Sequence, residues 1–108
     1  MLSDQEYTVQ CDRALDDLYK ALGEASNDHD FDPDMNQGAL TISFDDPPTR
    51  FVVSPQAPVR QVWVSAQSRS FKFGWNGSAF VLPDTGETLK AMIAKAISGR
   101  LGKNVQLP

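Results

Sequence analysis

Apolar positions near the start of the chain fall at Tyr7, Cys11, Ala14, Leu15, Leu18, Leu22 and Ala25. Spacings of three and four residues predict an amphipathic helix with one buried stripe. Ser3-Asp4-Gln5-Glu6 precedes it in the S-x-x-E order of a capping box, in which serine and glutamate satisfy each other's backbone N–H groups. Gly23 and the polar run at residues 26–30 end it. At about 100° per residue, Glu6, Asp17 and Glu24 fall on one flank of the stripe and Asp16 near its back.

The period then changes from helical to alternating. Leu40, Ile42 and Phe44 alternate with Thr41 and Ser43, and Asp45 and Asp46 open a turn that returns the chain as a second strand over residues 50–54. Residues 55–58, Pro-Gln-Ala-Pro, read as another turn before a strand over residues 59–66. Phe71 and Phe73 alternate with Lys72, and Asn76-Gly77 marks a tight turn before a last strand over residues 79–82. Such short turns oblige successive strands to be antiparallel neighbours. A closing helix then begins near Pro83, with Asp84 or Thr85 as its cap and Glu87 in its first turn. It buries Leu89, Met92, Ile93, Ala96 and Ile97. The order predicts an α+β fold, a two-layer α-β sandwich. The N- and C-terminal helices pack on one face of a five- to six-stranded antiparallel sheet, and the other face is open to water.

A chain of 108 residues, 41% hydrophobic and 22% charged, is expected to form one domain over residues 1–108 with a single core. Its apolar runs are too short for a membrane-spanning helix. The first residues show no signal or presequence pattern, so a cytoplasmic location is expected. The single cysteine, Cys11, excludes an internal disulfide and a thiolate metal cage, and reads as a small core residue. Charge changes the picture more. Residues 1–46 hold twelve of the fourteen acids and two of the ten bases, a net −10; residues 47–108 carry a net +6. An acidic face and a milder basic one suit cation binding or docking on a basic partner. The stronger field has the wrong sign for nucleic acid.

The acids concentrate in one stretch, where Asp28, Asp30, Asp32 and Asp34 recur at every second position. In an extended segment alternate residues share a face, so the four carboxylates would project together while Phe31 and Met35 point inward. A calcium EF-hand loop fails in every register. Counted from Asp28, position 6 is Pro33 instead of glycine and position 12 is Ala39 instead of glutamate. What remains is a strip of hard oxygen ligands near a helix that adds Asp17 and Glu24, suited to divalent and trivalent hard cations and to weak, labile binding. Solvated protection of a sheet edge is the plainer use of the same charges. His29 is the only histidine and reads as an exposed loop residue. No histidine-based triad, nucleophile elbow or glycine-rich phosphate loop is present, so no catalytic residue is expected.

Residues 61–66, Gln-Val-Trp-Val-Ser-Ala, admit two orientations. With Val62 and Val64 in the core, Gln61 and Trp63 lie on the open face with Lys72 on the neighbouring strand, a plausible interaction anchor. With Trp63 in the core, the valines are outside. The residues alone leave the two nearly balanced.

Three stretches carry a family likeness. Residues 30–44, residues 54–66 with Gln56-x-Pro58-x-x-Gln61-Val62-Trp63, and residues 84–97 stand in the order and spacing of the frataxin family in its bacterial form. The likeness spans nearly the whole chain. The resemblance implies weak binding of Fe2+ or Fe3+ on an acidic ridge, with other divalent cations as substitutes. It also implies a role in iron–sulfur cluster assembly, in which the protein engages the cysteine desulfurase and its scaffold and regulates the desulfurase in response to iron. Without metal the protein is expected as a monomer. Carried over by position, Glu24, Asp28, Asp30, Asp32 and Asp34 match the ridge. Gln61 and Trp63 match the partner-contacting sheet face, Lys72 sits where relatives place a base, and Trp63 is then expected to be exposed. A metal-independent acidic adaptor, docking on a basic partner, is the alternative. The departures are specific. Tyr19, Lys20 and Gly23 stand where relatives often have acids, and Ser54 and Pro55 replace an asparagine and a basic residue. The tail offers Leu101, Val105 and Leu107 to cover the helices, which predicts modest stability.

Overall fold

The computed structural model describes residues 2–45 and 47–108. Its elements run α1 (Asp4–Ala25), β1 (Asp32–Asn36), β2 (Ala39–Phe44), β3 (Thr49–Gln56), a 3-10 turn (Ala57–Val59), β4 (Gln61–Ala66), β5 (Arg69–Trp75), β6 (Phe80–Val81) and α2 (Leu89–Leu101). The six strands form one antiparallel sheet in the order β1-β2-β3-β4-β5-β6, each strand beside its neighbour in sequence. Both helices cover one face, so the architecture is the expected two-layer sandwich.

Helix α1 starts as its sequence directs. The Ser3 hydroxyl accepts from the Glu6 N–H at 3.1 Å while the Glu6 carboxylate accepts from the Ser3 N–H at 3.0 Å. Donation from the Ser3 N–H, with the Ser3 hydroxyl beside it, holds the Glu6 carboxyl below its usual pKa. Tyr7, Cys11, Leu15, Leu18, Leu22 and Ala25 are buried along the expected stripe, with Ala21 added. Opposite them the inward residues of the sheet, among them Leu40, Ile42, Phe51, Val53, Val62, Val64 and Phe73, are buried together with Ile93 and Ile97 of α2. Burial of each such side chain contributes roughly 1.5–3 kcal/mol. The tail closes the core: Val105 is buried, and Leu101 and Leu107 are packed against it. The Ser98 hydroxyl accepts from the Val105 N–H at 2.9 Å and donates to the Ala94 carbonyl at 2.7 Å, tying the tail to α2.

Several boundaries differ from those expected. Helix α2 begins at Leu89, capped by Thr88, whose hydroxyl accepts from the Ala91 N–H at 3.2 Å. Asp84 and Thr85 are not caps, because Gly86 adopts a left-handed φ of 75° that interrupts any helix there. Glu87 pairs with Lys95 at 3.1 Å instead of lying in the first turn. Strand β4 starts at Gln61, since Val59 lies in the 3-10 turn and Arg60 is left-handed, φ 51°. Pro55 belongs to β3, opposite Val62. Its missing N–H is tolerated because β2 has already ended opposite Val53. Asp45 does sit in a turn, fixed by the Arg100 guanidinium donating to the carbonyls of Asp45 and Pro47 at 3.0 and 2.8 Å. The turn role expected of Asp46 lies outside the described residues.

Candidate functional site: the open sheet face and the acidic edge

Register decides the orientation of Trp63. Val62 pairs with Phe73 and Val64 with Phe71, whereas Trp63 lies between Ser54 and Lys72. Paired residues share a face, so Trp63 is on the open side and the valines are in the core. The indole is half-buried there rather than fully exposed, because its neighbours close over it. The Trp63 Nε1–H donates to the Gln61 Oε1 at 2.8 Å, and the Lys72 Nζ stands 4.9 Å from the indole ring centroid. Gln61 is in turn fixed from beneath. The Tyr7 hydroxyl, reaching up from α1, donates to the Gln61 carbonyl at 2.7 Å and accepts from the Gln56 N–H at 3.0 Å. Burial, reinforced by Cys11 nearby, raises the Tyr7 pKa far above its ordinary value, which keeps the phenol a donor.

The three residues expected on this face are therefore one array. The Gln61 amide oxygen accepts from Trp63, and its N–H donors make no hydrogen bond among the described residues. Val52, Ser54, Ser65 and Ser70 border a shallow hollow of about 190 Å³ beside the indole. A flat aromatic ring, a cation and amide donors over a hollow suit recognition of another protein.

The acids are arranged differently from a single strip. Asp32 pairs with Ser43 and Asp34 with Thr41, which places both carboxylates on the open side of edge strand β1, with Pro33 and Met35 turned inward. Pro33 sits where a missing donor costs least, in a strand with a partner on only one side. Asp28 and Asp30 precede the strand. Asp28 lies in the turn after α1, its N–H donating to the Ala25 carbonyl at 3.1 Å, and Asp30 in the following bend. All four are exposed. His29, expected as exposed, is half-buried, with its Nδ1 shielded and without a partner among the described residues.

Of the helix acids, Asp17 lines a groove with Ser78, Thr88 and Lys90, on the α2 side of α1. Glu24 is exposed in the last turn of α1, four residues before Asp28. The α1 acids beside β1 are instead Asp12 and Asp16, which border a hollow with Met35 and Gly38. Asp16 is itself engaged by Lys20 at 3.0 Å, a bond that raises the lysine's pKa. Helix spacing separates the two flanks but does not say which one meets β1. Among the described residues no three histidine, cysteine or carboxylate side chains converge as a metal cage. The acids form a band around one edge of the sandwich, with hard oxygen donors spread over both sides of the sheet.

Two helices on one face of a six-stranded meander, an aromatic array on the open face and a carboxylate band at the first edge define an α+β sandwich built around surfaces. A family model for the frataxin-like domain matches residues 1–103. The iron–sulfur cluster assembly protein CyaY of Aeromonas hydrophila is 30% identical over 110 residues, covering 99% of this chain and all of the relative. The solved structure of a frataxin from Psychromonas ingrahamii, studied for stability modulation within the CyaY family, superposes with a TM-score of 0.76. It is 22% identical and covers 97% of each chain. The chain belongs to the frataxin family, as a member of the bacterial CyaY type.

Proposed function

We propose that this protein is a non-catalytic, iron-responsive regulator of iron–sulfur cluster assembly that engages the cysteine desulfurase and its scaffold. Its relative from Aeromonas hydrophila is named for that assembly process. The observation that carries the reading is the Gln61–Trp63–Lys72 array, a pre-set docking surface held in place from the core by Tyr7. Fe2+ or Fe3+ binds weakly along the carboxylate band, where exposed hard oxygens supply affinity and no cage supplies selectivity. Iron occupancy neutralises part of the band's charge and so alters how the protein meets a charged partner.

The test is binding of the desulfurase to the protein and to Trp63→Ala, with and without anaerobic Fe2+. The reading expects a loss of affinity in the variant and a shift in wild-type affinity with iron. Unchanged binding in Trp63→Ala would sink the docking role of this face.

A second reading is favoured by the lack of convergence among the acids. In it the carboxylates dock the protein on a basic partner and metal binding is incidental. Asp30→Asn with Asp32→Asn then weakens binding equally with and without iron, with strong salt dependence. Under the iron-responsive reading the same pair removes the iron effect and leaves residual binding.

A further inference from the structure

Strand β6 is only two residues long; along β5 it pairs with Gly74 and Trp75, and Val81 also bridges to Thr88. The rest of β5, Arg69–Phe73, is bonded to β4 on one side and, among the described residues, meets no strand on the other. The loop that follows β6 does not fill the gap. Its backbone bonds turn inward, from the Leu82 N–H to the Glu87 carbonyl at 2.9 Å and from the Gly86 N–H to the Leu82 carbonyl at 2.8 Å. Between this loop, the bare edge and α2 lies a groove of about 640 Å³ with Phe71, Leu82, Met92 and Ala96 among its walls.

We propose that this edge and groove accept an extended, acidic segment of a partner protein as an added strand. Unpaired N–H and C=O groups on the edge supply main-chain bonds, and the groove takes apolar side chains at alternate positions. Charge fixes the kind of occupant. The bare edge carries Arg69 and Lys72 and no acid, and Arg69 is held over the Phe71 ring, 5.1 Å from its centroid, at the mouth of the groove. On the far wall Glu87 is already engaged by Lys95, which leaves Asp84 as the acid there without a salt-bridge partner among the described residues. Antiparallel pairing of two β5 edges would set Arg69 and Lys72 of one copy beside those of the other, a repulsive arrangement. A second copy's β1 carries the matching charge, but Pro33 interrupts its edge. The edge adjoins the Trp63 array and shares Lys72 with it, but the groove lies on the helix side of the sheet, between Phe71 and the α2 residues Met92 and Ala96.

The test is an NMR titration of the intact protein with an end-capped ten-residue peptide alternating glutamate and valine. The proposal expects shifts and slowed amide exchange at Arg69–Phe73, Met92 and Ala96, and no binding of the same peptide with lysine in place of glutamate. Arg69→Glu, shown to be folded by its own spectrum, should weaken binding about fivefold. Four results overturn it. They are an unchanged spectrum at millimolar peptide, equal binding of the lysine peptide, shifts confined to Gln61 and Trp63, and edge shifts that follow protein concentration alone.

Discussion

The hydroxyl of Tyr7 donates to the carbonyl of Gln61 across 54 residues of sequence, so the first helix sets the position of the open-face array. It also accepts from the Gln56 N–H, the residue paired with Gln61 where β3 meets β4. Removing the hydroxyl leaves a half-buried carbonyl and N–H without their partner. Tyr7→Phe is expected to destabilise the fold by about 1–2 kcal/mol in urea titration. The Trp63 indole N–H resonance should broaden or move, because Gln61 loses its anchor. A variant equal to wild type in both respects would show that Gln61 is held by the sheet alone.

Alkaline pH should act on the same region. Burial raises the pKa of both Tyr7 and Cys11 above their unfolded values. Their neutral forms therefore contribute stability that is fully present below the unfolded pKa values, near 8.5 for cysteine and 10 for tyrosine. In the window above them the unfolded chain loses these protons first, so stability falls as pH rises. Unfolding midpoints should be insensitive to these two groups at pH 7 and decline from about pH 9 upward. Tyr7→Phe combined with Cys11→Ala should flatten that decline. An equally steep fall in the double variant would place the alkaline sensitivity elsewhere.

Trp63 lies on the open face with a cation beside it. Trp63→Ala should cost no more than about 1 kcal/mol of stability while damaging partner binding, since it opens no core cavity. A loss of several kcal/mol by thermal unfolding would mean that the indole is structural.

The two flanks of α1 separate the carboxylates experimentally. Under the iron-responsive reading, Fe2+ should broaden the amides of residues 28–34 in the wild type under anaerobic conditions. That broadening should weaken in Asp32→Asn with Asp34→Asn. Asp17→Asn should leave it unchanged, because Asp17 lies on the α2 side of the helix. Equal losses in both variants would require one continuous site around the helix.

The β4–β5 turn holds Gln67 and Ser68 in left-handed conformations, at φ 53° and 63°, with no glycine to relieve them. Two-residue hairpin turns of this hand favour Asn-Gly. Ser68→Gly should raise stability by about 0.5–1 kcal/mol, the relief of a left-handed residue outweighing the added freedom of the unfolded chain. A lower urea midpoint would show that entropy wins there.

Much of this is legible in the spacing of residues alone. The stripe of α1, its capping box, the alternation of Leu40, Ile42 and Phe44, and the placing of helices at both ends were written in residue spacing. What spacing could not supply was handedness of packing. Asp12 and Asp17 lie on opposite flanks of one stripe, and only the docking of α1 against β1 selects Asp12. Trp63 posed the same difficulty in two dimensions, because a strand alternates whichever face is inward. The start of α2 lies further along the chain than residue types suggest, for a local reason. Asp84, Thr85 and Glu87 resemble a helix start, but Gly86 turns left-handed, and the cap is Thr88. Glycine two residues before a threonine was the available signal.

The nearest-neighbour order of the strands has a consequence for how the chain acquires its fold. Every hairpin can zip locally, so the sheet has no distant strand to await. Its inner face, however, needs Ile93 and Ile97 of α2 to shut out water, and the tail adds Val105. During synthesis from the N-terminus, β1 to β6 emerge while that surface is still wet. A chain stalled before Leu89 would expose a greasy, hairpin-rich intermediate, and the docking of α2 shuts that face.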